Sequence, residues 1–143
     1  MVDVECLKNH VAQYKISKDT AGEFHKQLFT KHKDIAAYYN AEHIEPDSIA
    51  KSHKFIMYGM QILQSFFTMP QVFGDDRKWR STLSDFKDHY EEFNIPLSEF
   101  IKTKDALIAA MEQHAGGVSD EQRTNWNALI DQAYSDMKEW GWY

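Results

Sequence analysis

Phe55-Ile56-Met57-Tyr58-Gly59-Met60-Gln61-Ile62-Leu63-Gln64-Ser65-Phe66 is the stretch whose reading decides the fold. Phe55, Gly59, Ile62, Leu63 and Phe66 recur at the i, i+4, i+7, i+8, i+11 spacing of a helix with one buried stripe. Pro46 is well placed in the first turn of this helix, and Met69-Pro70 is expected to end it. Phe73-Gly74-Asp75-Asp76-Arg77 reads as a loop. A helix from about Lys78 to Glu92 follows, and it carries His89.

The same reading extends outward in both directions. Upstream, a first helix is expected over Val2 to Tyr14. Ser17 and Asp19 are placed to cap a second, with Ala21, Phe24, His25, Leu28 and Phe29 on one stripe. A short segment, Asp34 to Asn40, then leads to a polar corner. Downstream, Pro96 starts a helix with Leu97, Phe100, Ile101, Leu107, Ile108 and Met111 on one side, and Gly116-Gly117 stops it. Ser119-Asp120-Glu121-Gln122 has the form of a capping box. In the helix behind it, Trp126, Leu129, Ile130, Ala133, Tyr134 and Met137 keep a 3,1,3,1,3 rhythm. No strand, internal repeat or linker interrupts the series, so residues 1–143 are expected to form a single all-α domain.

Composition narrows the function. A chain of 143 residues can bury one real core and not two. The net charge of −6 argues against nucleic acid or an anionic membrane as partner, because both select basic patches. No apolar run approaches the roughly 20 residues that span a bilayer. The N-terminus has neither the basic start nor the apolar stretch of a secretion signal, so a cytoplasmic location is expected. The one cysteine, Cys6, excludes an internal disulfide, a multi-cysteine zinc site and an iron–sulfur cluster.

Side-chain chemistry alone finds little support. There is no HExxH pair, no Glu-x-x-His pair, no glycine-rich phosphate loop and no GxSxG elbow. Most of the seven histidines should be solvated, and aromatic stripes are usually plain core. His89, on an acidic helix beside Asp85 and Asp88, would by itself pass for a surface residue.

The joint pattern nevertheless resembles a globin over nearly the whole chain, most closely the nematode globins. Glu5-Cys6-Leu7-Lys8 resembles the first-helix segment of that group. Phe24-His25-Lys26-Gln27-Leu28-Phe29, followed ten residues later by Tyr39, is similar to the second helix and its corner. Phe55 to Leu63 resembles the distal helix. His89, Pro96 and Trp126 fall where the proximal histidine, the next helix start and a last-helix tryptophan lie.

What the resemblance implies is a globin fold of about seven to eight helices around a pocket for one b-type haem, held non-covalently. His89 would be the proximal iron ligand, its other ring nitrogen oriented by a carbonyl or a side chain one turn earlier. Tyr58 would take the distal position, a departure from the usual His or Gln that is similar to flatworm haemoglobins. His25 stands where Leu, Phe or Tyr is usual, and could donate to the ligand, orient Tyr58 or turn aside into the core. Ile62 would lean on the ligand. Tyr39, Phe55, Phe86, Phe93, Ile95 and Phe100 would contact the haem. Ala21 and Gly59 would let the second and distal helices cross closely. Asp85 lies where a Leu usually packs under the haem, leaving either Phe86 to fill that space through a local irregularity or Asp85 to orient the imidazole.

The implied function is reversible binding of dioxygen or another small diatomic ligand. Haem peroxidase or nitric-oxide dioxygenase activity stays open as a rival on the strength of His25, as do haem-based sensing and assembly into a homo-oligomer.

Overall fold

The computed structural model describes residues 1–143 as eight α-helices and one 3₁₀ turn, without strands. Helix α1 (Val4–Val11) opens on Asp3, whose carboxylate accepts from the Cys6 N–H at 3.1 Å. It ends three residues before the expected Tyr14. That tyrosine leaves the helix to donate its hydroxyl to the Thr20 carbonyl at 2.6 Å, anchoring the link to the next element.

Helix α2 (Glu23–Lys31) begins later than Ser17 and Asp19 suggested. Those residues build a turn instead: the Ser17 N–H donates to Thr20 Oγ1 at 2.9 Å and the Asp19 N–H to Ser17 Oγ at 3.2 Å. Short polar side chains favour caps and turns for the same reason, local bonding to backbone, and here the turn wins. A short α3 (Lys33–Tyr38) leads to the corner at Tyr39.

Pro46 does stand in the first turn of a helix, but that helix, α4 (Pro46–Lys51), is separate. Ser52 adopts an extended backbone, ψ 128°, and the long helix α5 (His53–Val72) starts behind it. It runs through Pro70 rather than ending there. The missing N–H removes one bond only two residues from the end, and the ring is buried, so the last turn survives.

Helix α6 (Asp76–Glu92) begins two residues earlier than expected because Asp75 caps it, accepting from the Lys78 N–H. After Pro96 the chain forms a 3₁₀ turn (Leu97–Lys102) before α7 (Thr103–His114). Gly116 and Gly117 break the chain at positive φ, 73° and 91°. The capping box at Ser119 and Gln122 then opens α8 (Asp120–Glu139). No helix is long and apolar enough to cross a membrane.

Two backbone crossings set the packing. A Cβ on Gly59 would collide with the Ala21 carbonyl oxygen, so α5 and the start of α2 meet backbone to backbone. Gly22 makes a second crossing that the sequence did not disclose: a Cβ there would lie 2.5 Å from the Ala50 oxygen of α4. These contacts bring α2 against both α4 and α5, while α6 lies along α5. On the outer face of α6, the Trp79 Nε1–H donates to Asp136 at 2.8 Å. The Arg80 guanidinium lies over the rings of Trp140 and Trp142, at 4.8 and 5.6 Å, and Lys87 over Trp142 at 5.6 Å.

His10 shows how a buried histidine is satisfied in this core. Its Nδ1 accepts from the Trp126 Nε1–H at 3.0 Å, which leaves the proton on Nε2 to donate to the Gly117 carbonyl at 2.9 Å. Burial lowers its pKa, with the Gly117 carbonyl acting weakly the other way. The chain thereby ties α1, α8 and the glycine corner together.

Gly59→Ala should destabilise the fold by about 1–3 kcal/mol in urea unfolding, since overpacking against backbone outweighs the better helix propensity of alanine. A depressed histidine pKa means that the unfolded chain takes up its proton first. Stability is therefore lost as pH falls below the unfolded value of about 6.5. His10→Gln can keep one acceptor and one donor without titrating. Unfolding series at pH 7 and pH 5 should show a shallower acid loss in that variant than in the wild type.

Candidate functional site

Four elements converge beneath the α2–α5 crossing: α2 through His25, the end of α3 through Tyr39, α5 through Phe55 and Tyr58, and the end of α6 through His89 and Phe93. Their rings form one cluster. The centroid of Tyr58 lies 6.0 Å from that of His89, 6.4 Å from His25 and 5.1 Å from Phe93. Tyr39 lies 4.5 Å from Phe93 and 5.8 Å from Phe55. Helical spacing explains the alignment: Phe55 and Tyr58 are one turn apart on α5, and His89 and Phe93 are one turn apart at the close of α6.

His89 is buried, and burial pulls its pKa down to about 4, so the ring is neutral near pH 7. In the tautomer with its proton on Nδ1, Nε2 accepts from the Tyr39 hydroxyl at 2.7 Å. Burial, followed by the neighbouring Tyr58 and Glu92, raises the Tyr39 pKa and keeps its proton in place. This contact joins residues fifty positions apart, and nothing in the sequence announced it.

His25 is fully buried, with 0% of its surface exposed, and neither ring nitrogen has a hydrogen-bond partner. Its neighbours are the rings of Phe24, Phe29, Tyr39, Phe55, Tyr58 and His89. Burial, then the proximity of His89, pushes its pKa down to about 3. The alternatives of a satisfied core bond and of orienting Tyr58 through a hydrogen bond are not what the structure contains.

Beside this cluster a cleft of about 380 Å³ opens between α5 and α6, bordered by His89, Ile62 and Phe86. Gln61, Ser65 and Thr68 also line it, a stripe at 4- and 3-residue spacing that continues from Tyr58 and was legible in principle. Phe86 packs at 4.7 Å from Phe66 and 5.0 Å from Phe100, within an unbroken helix. The local irregularity that the sequence left open at Phe86 is absent from the helix.

Asp85 is an exposed residue along the cleft, and partial desolvation and then Asp88 raise its pKa. The hydrogen bond that His89 makes is to Tyr39, not to Asp85. Ile95 is buried directly after the ring cluster, its N–H bonded to the Tyr90 carbonyl at 2.8 Å. Phe100 stands one layer further back, against Phe66, Phe86 and Tyr90. It braces the site from behind.

An all-helical domain with a buried histidine facing an aromatic slot defines a class, and comparison with known proteins supplies the family. The globin family model matches residues 22–137, from the start of α2 to near the end of α8. The chain belongs to the globin family.

Among known proteins it is similar to a globin-like host-protective antigen of Trichostrongylus colubriformis, 28% identical over 104 residues. That match covers 65% of this chain and 60% of that protein, so the chain spans about three fifths of its relative's length. Two structures of the globin-like protein GLB-1 of C. elegans share the fold, with TM-scores of 0.81 and 0.82 at 16% identity. Each covers 96% of this chain and 93% of that one. At that identity the likeness is one of fold.

The family implies haem, and the residues present fit it. Two neutral, buried imidazoles offer nitrogen to a metal, and aromatic walls suit a flat apolar ring system. One contact stands against entry: the Tyr39 hydroxyl occupies the His89 nitrogen that a metal would take. A neutral hydrogen bond contributes about 0.5–1.5 kcal/mol. Tyr39→Phe should therefore raise haem affinity by roughly two- to twelvefold in a titration of the haem-free protein.

Proposed function

We propose that this globin binds one haem b and carries dioxygen reversibly, for storage, transport or buffering. The observation that supports the reading most directly is the opposition of His89 and Tyr58, 6.0 Å apart between ring centroids, on two helices that flank one slot. Haem supplies the iron at which a diatomic gas binds. His89 would hold that iron through Nε2 from the proximal side, and Tyr39, Phe55, Phe86, Phe93 and Ile95 would clasp or border the ring.

On the other side, Tyr58 would donate its phenolic hydrogen to the gas. Its ring is half-buried, with Lys54 at 6.0 Å marking the solvent edge, so the hydroxyl group is free to turn inward. Ile62 would limit the space beside it and keep water out. The described residues 1–143 would work as one domain.

Two variants test this. His89→Gly should lose the Soret band on purification with haem, or regain it only with added imidazole. Tyr58→Phe should release dioxygen about ten- to a hundredfold faster in stopped flow, because a hydrogen bond to a charged acceptor contributes roughly 1.5–3 kcal/mol. An unchanged rate would mean that another group stabilises the gas.

A further inference from the structure

The unexplained residue is His25. A buried polar atom without a partner costs about 1–3 kcal/mol, and such atoms are few in any fold. His25 holds two of them, among aromatic rings none of which hydrogen-bonds to it. His10 makes the contrast inside the same protein, since both of its nitrogens are paired. Plain core packing would be served better by the Leu or Phe that fits the same volume, so the imidazole at this position calls for a ligand.

Distance says which ligand. The centroids of His25 and His89 are 6.4 Å apart. Two imidazoles on either side of one metal ion, at about 2.0–2.1 Å per metal–nitrogen bond, hold their centroids roughly 6.3 Å apart. Tyr58 stands at the solvent side instead, half-buried with the Lys54 ammonium over its ring at 6.0 Å. A neutral phenol is also a poor donor to iron, whereas a neutral imidazole keeps one N–H and offers the lone pair on its other nitrogen.

We propose that His25, from the second helix, is the sixth ligand of the iron in the absence of gas, opposite His89. The inference rests on the haem reading given above. Coordination satisfies one of the two unpartnered nitrogens. An incoming diatomic ligand then has to displace His25, and Tyr58 is left to donate to it. The protein so built has two states, closed by His25 and open to gas. Its apparent affinity is the intrinsic affinity multiplied by the fraction open.

The test uses the haem-loaded chain and reads coordination. Wild type should show a six-coordinate, low-spin optical spectrum in the ferrous, gas-free form and low-spin electron paramagnetic resonance in the ferric form. His25→Leu should convert both to high spin. Carbon monoxide association in the wild type should level off at high carbon monoxide, limited by His25 release, and become linear in concentration in His25→Leu. If one molecule in ten is open, gas affinity should rise about tenfold in the variant.

A five-coordinate wild-type spectrum overturns the inference by itself, whatever the variants do. So does loss of the low-spin form in Tyr58→Phe with its retention in His25→Leu, which would assign the bond to the phenol. A chain that takes up no haem at all defeats the haem reading as well. Haem held through His89 with no response to His25→Leu defeats this proposal alone.

Discussion

The close approach of α5 to the start of α2, where Gly59 meets the Ala21 carbonyl, is the constraint on which the site depends. It is a contact between two backbones, so it fixes the helices more rigidly than interlocking side chains would. His25 lies four residues beyond Ala21 and Tyr58 one before Gly59, and both are carried to the same place by this crossing. Across from them, α6 presents His89 at the end of a helix that lies along α5. The ring cluster forms where those helices meet.

Within that frame the protein treats its three buried histidines in two opposite ways. His10 and Trp126 form a closed chain of donors and acceptors that ends on the Gly117 carbonyl. Nothing is left over, and the cluster serves the fold. His25 and His89 sit among aromatic rings, one bonded only to a tyrosine and the other to nothing. A low-dielectric environment makes such groups expensive to leave alone and effective as metal donors. The cost of the slot is offset elsewhere, in a core that is otherwise well satisfied.

Periodicity made most of this legible. The stripe through Phe55, Gly59, Ile62 and Phe66 places Tyr58 and Ile62 on adjoining faces, and the order of His89, Pro96 and Trp126 carries the family. The Gly59 crossing followed from the family resemblance, which needs small residues at Ala21 and Gly59. What the sequence withheld has physical reasons. Ser17 and Asp19 bond backbone equally well in a cap or a turn, and only the path of the chain decides between them. Pro70 breaks a helix in mid-course but not in its last turn. The 3₁₀ turn after Pro96, in place of a helix start, is set by how the chain packs there, with Phe100 against Phe66, Phe86 and Tyr90. The Tyr39–His89 bond depends on the angle of a corner, which no repeat encodes. That His25 lacks partners is a property of its whole surroundings, visible only when they are assembled.

The outer face of α6 carries one more consequence. Arg80 and Lys87 lie over Trp140 and Trp142, and Trp79 is tied to Asp136, so α6 is fastened on its far side by α8 and the residues that follow it. His89 thus stands on a helix that is held on another face by the last residues of the sequence. Lys87 is only two residues from His89, so Trp142 packs on the same end of α6 that enters the ring cluster. The aromatic C-terminal residues therefore belong to the packing of the site's own helix, although none of them is in the cluster.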